Sequence, residues 1–299
     1  MLDIDENRRT PKELATLCEI EPEMREIIVE GRADAALLEW FFASTSGETD
    51  VQVYAVGDRV LLAAEDVISD GNNIGSRGSV VTTASIVHAN SSDTGRIIFV
   101  ADRDCSSVGL DPCPEINNLL FTDFSTMELY YFSPRPLQKL LSVALRAPKE
   151  LTSENLISDI TPVLVSLFLI RATLRSLPEP KKLASKVMQN LNFMPGGHSL
   201  DVADALTRSC SGENRDRLME VYSKFEVPPD SDVRHYIRGH DIAAVIIRYV
   251  SSLHARLLRE DRRHLAQPDA MSICLVTCLE LVDLQDFELF KSLQAFAAR

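Results

Sequence analysis

Apolar residues in the first half of the chain come in short unbroken runs, each stopping at a charged residue. Ile27, Ile28 and Val29 are β-branched, consecutive and followed by Glu30. Such continuity suits a strand covered on both faces in a largely parallel sheet. Gly31 permits a sharp turn, and Ala33, Leu37, Trp40 and Phe41 then recur at helical spacing until Gly47 and its polar neighbours end the pattern. Glu30 is therefore expected at the carboxyl end of a strand, beside a helix entrance. Val51 to Val56 reads as a second strand from its β-branched and aromatic content. Arg96 to Ala101 reads as a third, running into Asp102-Arg103-Asp104, and Leu119 to Phe121 as a fourth, running into Thr122-Asp123. Ahead of them, Thr10-Pro11-Lys12-Glu13 has the form of a capping box with proline at the first helical position, so a short helix is expected to end before Pro22. Alternating strand and helix signals over residues 25–135 predict an α/β fold, a doubly wound and mostly parallel sheet with right-handed crossovers.

From about residue 147 the period changes to that of helices. Leu156, Ile160, Val163, Leu164, Leu167, Leu174 and Leu177 keep helical spacing, with Pro162 either starting a fresh helix at Thr161 or kinking a longer one. Pro178, Pro180 and Pro195-Gly196-Gly197 divide the helices that follow. Ile242, Val245, Ile246, Tyr249, Val250, Leu253 and Leu257 form the clearest amphipathic stripe, expected to pack in the core. Ser272 to Phe296 reads as two helices, to pack on the α/β half or on a partner. The expected division is an α/β domain over 1–146 and a helical domain over 147–299.

Composition adds one asymmetry. The 299 residues are 45% hydrophobic and 25% charged, as in an ordinary globular protein, and the formal net charge is −13. Residues 1–150 hold 25 acids against 13 bases, and residues 151–299 hold 19 against 18. A polyanion would be repelled from the first half unless a divalent metal reversed the local sign. Lys181, Lys182 and Lys186, and Arg256, Arg259, Arg262 and Arg263, are the conspicuous bases, and read as solvated helix faces. The six cysteines show no paired CxxC arrangement, and Cys274 and Cys278 read as core residues on one helix face. No signal peptide is visible, the longest apolar run is Val163 to Ile170, and a reducing cytoplasm is the expected location, with no membrane partner.

Chemistry is expected where the strands end. Extended backbone sends alternate side chains the same way, so Asp102 and Asp104 should converge. With Glu30 they would form a cluster of hard oxygen ligands, which repel one another unless they share a cation. Asp123 or Ser125 could cap a helix containing Glu128. The loop Gly71 to Ser79, leading into a helix over Val80 to Val87, could offer backbone N–H groups to a phosphate. It lacks the lysine and spacing of a P-loop, so ATP hydrolysis is not expected.

Val29-Glu30-Gly31-x-x-Asp34, then Asp102-Arg103-Asp104, Thr122-Asp123 with Glu128, and much later Ile237-Arg238-Gly239-His240-Asp241 together resemble the Toprim domain. More closely they resemble a Toprim-like nuclease family encoded beside ABC-type ATPases in phage-defence loci, the AriB-like effectors of PARIS systems, related to OLD-type nucleases. The resemblance implies a Toprim-like sheet followed by an all-helical C-terminal region, and a toxic Mg2+- (or Mn2+-) dependent endonuclease. Such an effector would be released from an ABC-type ATPase sensor to cleave RNA, host tRNA above all, in abortive infection, and could form a homo-oligomer. By position, Glu30, Asp102 and Asp104 match the catalytic metal-binding acids, and Asp34, Asp123 and Glu128 match further acidic positions. His240, Arg103 and Arg77 are candidate phosphate contacts. In the mechanism so implied, Asp102 and Asp104 hold one or two Mg2+ ions, and Glu30 shares the metal or acts as general base. The alternatives are an OLD-type DNA nuclease and a non-catalytic protein whose acidic edge docks an ATPase; a primase-like polymerase is disfavoured because no zinc-binding or priming module is visible.

Overall fold

The computed structural model describes residues 7–45 and 50–298; Gly47, expected to end a helix, lies outside the described residues. Contacts group the chain into two units, the first Met1–Arg103, Cys113–Asp123 and Leu284–Arg299, the second Asp104–Pro112 and Phe124–Asp283. This division differs from the expected boundary at 146/147. The chain changes unit near residue 124, and its last helix belongs with the sheet.

The α/β unit contains four strands, β1 (Glu26–Val29), β2 (Gln52–Ala55), β3 (Ile97–Ala101) and β4 (Leu119–Phe121), in the order β2-β1-β3-β4. Every neighbouring pair is parallel, with Ile27 opposite both Val53 and Ile98, and Phe99 opposite Leu119. All four residues of β1 are buried, as its unbroken apolar run requires of a central strand. Helix α1 (Pro11–Ile20) opens with the expected capping box: Thr10 N–H donates to Glu13 Oε2 at 2.7 Å and Glu13 N–H to Thr10 Oγ1 at 3.3 Å. Helices α2 (Arg32–Thr45) and α3 (Ser76–Asn90) carry the crossovers β1 to β2 and β2 to β3. These run in opposite directions across the sheet, so right-handed connections place the two helices on opposite faces. On the α3 face, Ile28, Ile97, Phe99, Ala101 and Leu119 pack with Leu14 and Cys18 of α1 and with Val80, Ala84 and Val87 of α3.

Helix α2 buries Ala35, Leu37, Leu38, Phe41 and Phe42, while Ala33 and Trp40 are exposed. Its apolar stripe is thus rotated from the Ala33–Leu37–Trp40 reading, because Ala35, Leu38 and Phe42 hold the same helical spacing on the buried side. Phe41 meets Phe290 of the returning C-terminal helix edge to face, with centroids 4.8 Å apart. A buried ion pair ties β1 to the turn after β2: Arg59 Nη2 lies 2.7 Å from Glu26 Oε1 and its Nε 2.9 Å from Oε2, and Nη1 also reaches the Asn7 carbonyl.

The helical unit centres on α4 (Ser153–Arg175), which runs unbroken through Pro162 rather than restarting there. Length and composition alone would allow α4 to cross a membrane. Its Leu156, Ile160, Val163, Leu164 and Leu167 are buried, and it packs against α5 (Val202–Ser209), α6 (Arg215–Tyr222) and α7 (Gly239–Leu253). The amphipathic stripe of α7 is buried from Ile242 to Val250, as expected. Pro195-Gly196-Gly197 does more than separate helices. With Gly196 at φ +79°, it turns a two-stranded antiparallel hairpin that pairs Phe193 with His198. Glu128 sits on a 3-10 turn, Met127–Tyr131, rather than on an α-helix.

Candidate functional site

In the α/β unit, strand order makes β1 and β3 the pair where the chain's winding reverses, β1 leading outward to β2 and β3 leading outward to β4. Ligands of open α/β sheets bind outside the carboxyl ends of such a pair. Glu30 follows β1 directly and Asp102 follows β3 directly. The two ends are joined: Asp102 N–H donates to Glu30 Oε1 at 2.8 Å across 72 residues of sequence. Both residues are half-buried.

The neighbours of this pair fix its backbone. Arg77, in the first turn of α3, donates from Nε to the Asp102 carbonyl at 2.8 Å and lies over the Phe121 ring at 5.6 Å. Arg77 is thus held at the end of β3. Gly78 lets α3 start close to its loop, since a Cβ there would collide with the Asn73 carbonyl oxygen. The helix begins at Ser76, four residues ahead of the expected Val80. Arg103 donates from Nε to the Thr122 carbonyl at 2.7 Å and from its N–H to Thr122 Oγ1 at 3.2 Å, prolonging the attachment of β3 to β4.

Two other acids of the expected set meet backbone amides. Asp34 Oδ2 accepts the Gly31 N–H at 3.0 Å, closing the first turn of α2 from its third position. Asp123 accepts the N–H groups of Glu288 and Leu289 at 3.1 and 3.3 Å, one with each oxygen, and so caps α9 (Glu288–Ala297), which comes after α8 (Pro268–Thr277) in the chain, from a distant strand end. Each of these contacts ties a carboxylate to the first turn of a helix.

Asp104 departs from the alternation expected of it. β3 ends at Ala101, and Asp104 adopts φ +46° with its N–H bonded to the Ser125 carbonyl, so the extended-backbone rule no longer governs its side chain. Asp104 belongs with the helical unit, as do Glu128 and His240. His240 Nδ1 lies 3.1 Å from Glu128 Oε1. Gly239, at the start of α7, is pressed against that same acid: a Cβ there would stand 2.6 Å from Glu128 Cβ. The next residue, Asp241, grips Arg171 of α4 with both oxygens, at 2.7 and 2.9 Å. The Gly-His-Asp segment is therefore a clasp between the 3-10 turn and α4, Gly239 and His240 meeting Glu128 and Asp241 meeting Arg171.

Among the described residues no group of three or more His, Cys, Asp or Glu side chains is gathered to hold a metal ion. The donors at the switch point are nevertheless of the right chemistry. Mg2+ keeps several of its waters and is commonly held by one or two carboxylates together with substrate phosphates. Glu30 and Asp102 fit that mode; a closed all-protein cage they do not make.

A second feature, unforeseen as a site, lies wholly within the helical unit. A cavity of about 510 Å³ is lined by Arg171, Arg175, Lys181, Lys182 and Arg238, with Asp104 its one acid. Arg175 is clamped by Asp111 at 2.5 and 2.6 Å. Cys105 also lines the cavity, and burial, followed by the nearby Asp111, pushes its thiol up to about 11, so it stays protonated at neutral pH. Lys181 and Lys182 stood out in the sequence as a charge run, but Arg171 and Arg175 sit four apart inside an apolar helix, and only that i, i+4 spacing could have flagged a shared face. No protein-family model matches the chain, and no curated protein matches it.

Proposed function

We propose that the chain is a Toprim-like endonuclease, acting on RNA as the toxic effector of a defence system with an ABC-type ATPase partner. The observation that supports this reading is that Glu30 and Asp102 end the two central strands at the switch point of a parallel sheet, with the Asp102 N–H bonded to the Glu30 carboxylate. When bound, a divalent cation would neutralise charge on the scissile phosphate and lower the pKa of a coordinated water. Glu30 and Asp102 are the residues that would hold it. The Asp102 N–H orients the Glu30 carboxylate through Oε1, which suits Glu30 to take a proton from an attacking water. Arg77 steadies the Asp102 backbone and keeps a guanidinium beside the strand end. Asp34 and Asp123 are assigned to helix ends in this reading.

The test is cleavage of total tRNA by the purified chain in Mg2+, with and without chelator, repeated with the ATPase partner and its trigger present. Cleavage that requires metal and is lost in Glu30→Ala supports the proposal; metal-independent cleavage, or parental rates in that variant, overturns it. A parallel DNA substrate separates the OLD-type alternative. A non-catalytic docking protein, the other alternative, expects no cleavage under any of these conditions and ATPase binding unchanged by Asp102→Ala.

A further inference from the structure

The chain carries a net charge of −13, yet five cationic side chains of the helical unit converge on one cavity whose lining holds a single acid. We propose that this cavity grips the phosphates of a polynucleotide backbone, with Lys182 and Arg238 as the binding cations and Arg171 and Arg175 as fixed positive walls. The proposal deepens the nuclease reading and rests on it for the choice of a polynucleotide over another phosphorylated ligand.

Three features carry it. The counter-ions of the two wall arginines lie behind them: the side chains of Asp241 and Asp111 are 7% and 2% exposed, against 26% for Arg171 and 33% for Arg175, so the positive ends are what the solvent meets. Each arginine is held by two parallel bonds, which fixes its planar fork before any ligand arrives. Lys182 and Arg238 make no ion pair among the described residues, leaving two cations whose charge is not already answered. The volume lies within the range of about 300–1,000 Å³ usual for ligand sites. Lys181 and Lys182 are exposed at its rim, so an extended chain can leave the cavity and continue along the surface.

The segment that sequence resemblance singled out acquires a use here. Arg238 lines the cavity, and Asp241, three residues on, positions Arg171. Gly239 and His240 lock the same turn onto Thr126 and Glu128.

The experiment is fluorescence anisotropy of a short 5′-fluorescein single-stranded RNA with the whole chain in EDTA, where binding is read without cleavage. Lys182→Gln/Arg238→Gln is expected to weaken binding at least ~10-fold and to flatten the dependence of log K on log salt by about 1.4, at ~0.7 per lost phosphate contact. Lys182→Arg/Arg238→Lys keeps the charge and should bind within about threefold of the parent, and Arg263→Gln, exposed and outside the cavity, should match it. Parental affinity in the Gln double variant, an equal loss in Arg263→Gln, or no binding of the RNA by the parent would each overturn the proposal. Glu30→Ala should bind RNA in EDTA as the parent does. If the parent binds RNA through the cavity but never cleaves it, the nuclease reading fails and this one stands; cleavage unaffected by the Gln double variant has the reverse meaning.

Discussion

At the sheet edge of the α/β unit, Glu30, Asp102 and Asp123 come from strand ends, and Glu30 and Asp123 turn their oxygens to backbone N–H groups. In the cavity of the helical unit, cations come from α4, the segment after it and the turn before α7, and the two arginines of α4 are met by carboxylates placed behind them. The first arrangement leaves negative charge at a switch point, where only a cation can make it useful to a polyanion. The second leaves net positive charge facing solvent in an acidic protein. In the proposed reading one device would attract a nucleic-acid backbone and the other would act on it.

The comparison can be broken most sharply at the sheet edge. Glu30→Ala is expected to lower metal-dependent cleavage at least ~100-fold with the melting temperature nearly unchanged, because the half-buried side chain accepts an amide without filling the core; gel-based rates beside a thermal melt check both halves of that statement. Arg59→Ala in the same unit should do the opposite. It strands the 6%-exposed Glu26 without its partner and should cost about 3–5 kcal/mol, read by urea unfolding of the parent and variant. Gly239→Ala tests the clasp of the helical unit: the added methyl meets Thr126 and Glu128, and about 1–3 kcal/mol of destabilisation is expected by the same method. Asp123→Ala removes a cap from α9. A loss of about 1 kcal/mol with cleavage retained would place Asp123 with the fold; loss of cleavage at unchanged stability would return it to the metal site.

The sheet was legible because its two central strands carry continuous apolar runs, and burial on both faces leaves that mark on Ile27 to Val29 as on Ile97 to Ala101. The position of Glu30 followed from it. Asp104 was misplaced because a backbone reversal to φ +46° leaves no trace in an Asp-Arg-Asp triplet. The uses of Asp34 and Asp123 escaped for a related reason: a carboxylate that caps a helix and one that holds a metal are the same residue type, and the amide partner of Asp123 lies 165 residues away. The cationic cavity was hidden by dispersion, since Arg171, Lys182 and Arg238 share no period, and the ion pairs that orient the arginines are visible only in space.

The way α9 returns to the sheet bears on synthesis. A ribosome that has released residue 123 has made all four strands, but it has yet to make the helix whose first amides Asp123 receives and whose Phe290 lies against Phe41. Until the stretch beginning at Leu284 emerges, Phe41 lacks this ring and Asp123 lacks these amides. The last helix thus acts as a latch, fastened late, on a sheet whose strands are already made.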